Sequence, residues 1–118
     1  RGLGDVYKRQ VVVHAGYLEQ FPTAGLTGKY TCVEDFYLRA REDAYLAGGI
    51  ENGMIVAGHT PTLSKDYMMY NGGLVYQHYD PQKNCLYYDI DCGCSYRTIR
   101  ANARLACLCA ETGAIYYL

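Results

Sequence analysis

Two histidines sit where chemistry is often done. His14 follows Val11, Val12 and Val13 and precedes Ala15-Gly16; His59 follows Met54-Ile55-Val56-Ala57-Gly58 and opens Thr60-Pro61-Thr62. Each ends a short apolar run of the kind that forms a buried strand. Ligands of open α/β sheets bind beyond the carboxyl ends of the strands, and imidazole is the commonest protein metal ligand. The pair could therefore hold a cation. Taken singly, a histidine in such a place is more often a hydrogen-bonded core or edge residue, so the rest of the chain must decide.

The cysteines offer a second chemistry. Cys92 and Cys94, and Cys107 and Cys109, are each separated by one residue. In a strand both members of such a pair share a face. Structural zinc sites usually space their cysteines by two to four residues, so we read these as reduced thiols acting as small apolar side chains. A cysteine zinc module is the competing reading.

The elements that would position the histidines follow from period and punctuation. Residues 11–13 read as a short buried strand, and 16–29, with Pro22, Gly25 and Gly28, as a loop. Thr31 and Glu34 have capping-box spacing ahead of one main helix over 33–46. Gly48-Gly49 stops it. Gly53–Ala57 is a second buried strand. Residues 63–71 carry no clear period. Strands over 74–79 and 86–91 are joined by 80–84, and 104–110 with 114–118 form a hairpin around Glu111-Thr112-Gly113. His78 lies in a Tyr-rich strand and reads as structural or exposed. The pattern predicts an α/β fold, rich in strands.

The chain has 118 residues, half of them hydrophobic, which makes one domain or part of one. With 11 basic and 12 acidic residues its net charge is −1, which gives no electrostatic case for nucleic acid or an anionic membrane surface. No apolar run of about 18 residues spans a membrane, no signal peptide is recognisable, and a cytoplasmic location is expected. Fourteen tyrosines against two phenylalanines and no tryptophan suit half-buried strands whose hydroxyls reach water. The first ten residues look foreign. Asp5 to Gln10 back-translates as GAT GTG TAT AAG AGA CAG, the mosaic-end adapter of transposon-based sequencing libraries. Residues 1–10 are thus expected to be an adapter artefact, with natural coding from Val11 and an N-terminal half upstream.

With His14-Ala15-Gly16 and Gly58-His59-Thr60-Pro61-Thr62 the chain resembles the C-terminal half of a calcineurin-like metallophosphoesterase, in the serine/threonine protein phosphatase superfamily, bacterial or phage type. Three other stretches agree. Leu38-Arg39-Ala40-Arg41-Glu42 resembles a helical Trp-x-Arg-Glu motif with Arg39 in place of Trp. Tyr88-Asp89-Ile90-Asp91-Cys92-Gly93 resembles an Ile-Asp-x-Gly strand. Residues 105–117 resemble the closing hairpin.

The resemblance implies the C-terminal portion of a four-layer α/β/β/α sandwich that binds two divalent ions, Mn²⁺ foremost, with Fe or Zn²⁺ as alternatives. It implies His14 and His59 as ligands of the second metal. Arg41, with Arg39 as the alternative, would clamp the substrate phosphate through a planar fork. Gly58, Thr60, Asp91 and Gly93 would shape the site. The implied reaction is in-line attack of activated water on phosphorus in a phosphorylated protein or small phosphoester. Gly-Asp-x-His-Gly, Gly-Asp-x-x-Asp-Arg-Gly and Gly-Asn-His-Glu, which supply the family's other ligands, do not occur here. The chain itself is therefore expected to bind metal weakly and to be inactive. Hydrolysis of dinucleoside polyphosphates in the same fold, and a non-catalytic phosphatase-like interaction domain, are the alternatives.

Overall fold

The computed structural model describes residues 7–19 and 28–118. Among them a four-stranded mixed sheet is built from β1 (Arg9–Val12), β2 (Gly53–Ala57), β3 (Tyr76–Asp80) and β4 (Cys85–Asp89), in the order β1-β2-β4-β3. β1 and β4 both run parallel to β2, and β3 returns antiparallel beside β4. A separate two-stranded ribbon pairs β5 (Ala106–Leu108) with β6 (Ile115–Tyr117). Two short helices, α1 (Val33–Arg39) and α2 (Asp43–Leu46), complete the set.

The sheet separates two cores because alternate strand residues face opposite ways. Ile55, Cys85 and Tyr87 join Phe36, Ala40, Ala44 and Tyr45 of the helical region. Met54, Val56 and Tyr88 point to the other side, where Ala106, Leu108 and Ile115 of the ribbon pack on them. The result is helices, sheet and ribbon in layers. A second helical layer beyond the ribbon is not found among the described residues. No helix among them is long and apolar enough to cross a membrane.

Several expectations need correction. The single helix over 33–46 is broken. Ala40 takes an extended conformation (φ −61°, ψ 139°), and the chain turns a corner through Arg41 before α2 begins. The core explains why: Phe36, Ala40 and Ala44 all converge on Gly16, where an added Cβ would come 2.6 Å from that of Ala44. The capping box is replaced as well. The helix starts after Cys32, and Asp35, not Glu34, accepts the Thr31 backbone N–H at 2.9 Å.

The strand of residues 11–13 is not buried. It begins two residues earlier, at Arg9, and Val12 is 81% exposed, because β1 pairs only with β2 among the described residues. Tyr7 is buried in the second core, and Arg9 and Gln10 hold register with Gly53 and Met54. Residues 1–6 lie outside the described residues. Cys92 and Cys94 do not line a shared strand face: Cys92 is buried after β4 ends, whereas Cys94 opens a 3-10 turn. Cys107 and Cys109 do share a side, alternating with Ala106, Leu108 and Ala110 that pack on the second core, but it is the outer side of the ribbon and neither is buried. The two hairpins form as expected, with shorter strands. His78 packs edge-on against Tyr45, centroids 5.8 Å apart.

Candidate metal and phosphate site

Parallel pairing brings the two histidines together. Val12 is opposite Val56 in the β1–β2 register. The ladder continues past the strand ends, with the Val13 N–H donating to Val56 O at 3.0 Å and the Gly58 N–H to His14 O at 2.8 Å. His14 and His59 thus emerge side by side at the carboxyl edge of the sheet, where α/β ligand sites lie. His14 Nε2 and His59 Nδ1 are 3.2 Å apart.

That separation fits two arrangements. With one ring nitrogen protonated and the other bare it is a hydrogen bond, its direction set by the tautomers. It also equals the edge of a coordination polyhedron. Metal–nitrogen bonds of about 2.0–2.1 Å, at octahedral to tetrahedral angles, place two ligand nitrogens roughly 2.8–3.4 Å apart. The residues present therefore fit a shared cation. They supply two ligands: no group of three or more His, Cys, Asp or Glu side chains able to hold a metal occurs among the described residues.

His59 has a left-handed backbone, φ 71°. The other non-glycine residues of this kind among the described residues, Asn52 and Asn84, are asparagines in turns, the residue type that tolerates it best. For a histidine the conformation costs roughly 1–2 kcal/mol. Burial, and then the positive charges of Arg41 and His14, push the His59 imidazole below its ordinary value, against the pull of Asp91. A neutral ring is the form that ligates metal.

The corner after α1 delivers Arg41. Its guanidinium lies 4.7 Å over the Tyr67 ring, and Nη1 donates a long hydrogen bond, 3.4 Å, to Thr60 Oγ1. Glu42 anchors the corner by accepting the Met68 backbone N–H at 3.3 Å. Arg41 and His59 line the same cavity of about 320 Å³. Arg39, the alternative phosphate binder, faces elsewhere. It is tied to both Asp35 carboxylate oxygens and to the Lys29 carbonyl, and lies over Tyr30.

The shaping residues hold turns. Thr60 is buried and its N–H closes on Gly58 O at 2.8 Å. Gly58 faces the Asp91 side chain, with room for a Cβ in ordinary contact. Asp91 Oδ1 accepts the Gly93 N–H at 3.1 Å, and its carbonyl accepts the Thr62 N–H at 2.9 Å. Gly93 has φ 82°, and a Cβ there would meet Leu63 at 2.9 Å. Next to this turn, Asp89 is fully buried. Burial raises its carboxyl to about 8, Oδ1 accepts the Asp91 N–H, and Oδ2 has no partner.

Sequence reasoning missed Tyr96 and Arg100, which line the cavity together with Arg41. Their only signal was a cluster of arginines, at 97, 100 and 104, in a stretch without periodic pattern. Leu63 and Tyr67, from the stretch without clear period, also line the cavity, whereas residues 20–27 lie outside the described residues. Comparison with known proteins finds no matching family model, no matching curated protein and no matching solved structure.

Proposed function

We propose that this chain carries the second-metal side of a two-metal phosphoesterase site, with His14 and His59 as ligands of one divalent cation and Arg41 as the phosphate clamp. The observation that carries the reading is the 3.2 Å approach of His14 Nε2 and His59 Nδ1, with His59 and Arg41 lining one strand-end cavity. The strained backbone of His59 supports it, because such conformations cluster at sites where geometry serves function. In the complete protein the sheet and the ribbon would be the two inner layers of a four-layer sandwich; helices on one face and strands on the other favour that arrangement.

The roles follow from the residues. A pair of divalent cations supplies charge neutralisation and acidified water for attack on phosphorus. His14 and His59 would each offer one ring nitrogen to the same cation. Arg41, held over the Tyr67 ring, presents two donors to phosphate oxygens and stabilises charge on them. Asp91 and Gly93 fix the turn against which His59 sits. Phosphorylated proteins and small phosphoesters are the substrate class, and Mn²⁺ is the first metal to test. Two ligands make a weak site, and the chain alone is expected not to turn over substrate.

The test is Mn²⁺ titration into the ¹⁵N-labelled chain. Paramagnetic broadening should appear first around His14, Gly58 and His59. Broadening that instead begins at carboxylates away from the histidine pair, or that survives His59→Ala, refutes the metal assignment. Mn²⁺-dependent hydrolysis of p-nitrophenyl phosphate by the purified chain would refute the half-site reading.

A further inference from the structure

Residues 94–103 leave the sheet and return to it as a closed excursion. Its base is a bridge between Gly93 and Arg104, with the Arg104 N–H donating to Cys92 O at 3.1 Å. Inside the excursion a helical turn forms: the Arg100 N–H donates to Tyr96 O at 2.9 Å, so the two side chains lie one turn apart on the same side. Both face the cavity that holds Arg41 and His59. Arg100 reaches across to the Leu63 carbonyl, 3.5 Å from Nη2. The excursion can lie this close because Gly93 has no Cβ to strike Leu63.

The charge balance of the cavity is one-sided. Two guanidiniums, an imidazole and two phenols line it, and no carboxylate among the described residues does. The ion pairs among the described residues are Arg9–Glu19, Lys29–Asp43 and Arg39–Asp35, so neither Arg41 nor Arg100 is neutralised by one. A cavity of about 320 Å³ exceeds what a single phosphate needs.

We propose that Arg100, with Tyr96, forms a second anion subsite beside Arg41, so that the site selects phosphoesters carrying a further linked negative group over those with a single phosphate. The proposal rests on Arg41 as the phosphate clamp. Arg100 is then a specificity-determining residue: it touches the part of the ligand beyond the scissile phosphate, and Tyr96 offers its ring face and hydroxyl to the linking atoms. The second group could be a phosphate of a small polyphosphate or an acidic side chain next to a phosphoresidue, which present the same chemistry to a guanidinium.

Calorimetric titration of the metal-free chain with inorganic phosphate and with inorganic pyrophosphate tests this. Pyrophosphate is expected to bind about tenfold more tightly, the value of one added charge-assisted contact. Arg100→Gln should cut that preference to about twofold, Arg100→Lys should keep part of it, and Arg41→Gln should weaken both anions together. Equal affinity for the two anions overturns the proposal, as does an Arg100→Gln variant that melts like the parent and keeps the full preference. A pair of phosphoserine peptides with Glu or Gln beside the phosphate separates the sources: a Glu preference lost in Arg100→Gln assigns protein substrates, and its absence with pyrophosphate preference intact assigns small polyphosphates. Because no metal is present, loss of Mn²⁺ binding with anion preference intact refutes the metal assignment alone.

Discussion

Nε2 of His14 and Nδ1 of His59 lie 3.2 Å apart across 45 residues of chain, held there by backbone register and not by contact between the loops that follow. If both nitrogens share a cation, losing either should remove most of the binding. His14→Ala and His59→Ala are each expected to lower Co²⁺ affinity by at least about tenfold, and affinity should fall toward acid pH as protons compete for the His59 ring, whose pKa burial holds below its ordinary value. Co²⁺ absorbance titrations at pH 5.5 and 7.5 check this; a pH-independent affinity contradicts it.

The backbone of His59 should trade stability for this geometry. Asparagine accepts φ near 71° more readily, so His59→Asn is expected to stabilise the fold by about 1 kcal/mol while losing the metal. Urea midpoints with and without Mn²⁺ measure both effects, and a destabilised variant counts against backbone strain at this position.

Asp89 predicts a pH dependence of opposite sense from ordinary carboxylates. Burial raises it to about 8 when folded, against about 3.9 unfolded. Between those values the folded state keeps a proton the unfolded state has lost. Its contribution is full below about pH 4 and is lost as pH rises toward 8, a few kcal/mol in all. Asp89→Asn should flatten that part of the stability curve, read from urea melts between pH 5 and 8. An unchanged slope argues against a protonated Asp89.

Gly16 packs where α1 breaks. A Cβ there meets Ala44 at 2.6 Å and Ala40 and Phe36 at 3.1 Å, none of them the end of a flexible side chain. Gly16→Ala is expected to cost about 1–3 kcal/mol and, by shifting the corner, to weaken phosphate binding at Arg41. Melting and phosphate titration together test the coupling; a destabilised variant with parental phosphate affinity separates the two.

The sequence showed some of this directly. Gly53–Ala57 is apolar at every position except its glycine, and every residue is buried, so its strand and the histidine after it were readable from composition alone. The hairpins were readable from their turn residues. The break at Ala40 was not, because Phe36, Ala40 and Ala44 keep helical spacing straight through it; only their shared contact with Gly16 decides against a continuous helix. The exposure of Val12 was hidden for a related reason. A valine run reads as buried, yet burial depends on what pairs with the strand's far side. Arg100 was invisible because an arginine in an aperiodic stretch announces no direction.

The parallel register of β1 on β2 carries one more consequence. Sliding one strand by a single residue would shift its imidazole by about 3.3 Å and open the pair beyond any shared ligand. A bound cation would therefore act as a clasp on the sheet's topology, joining the start and finish of a 45-residue excursion. Occupancy and strand registration become one equilibrium, so a spectroscopic signal from the cation doubles as a reporter of whether the long-range half of folding is complete.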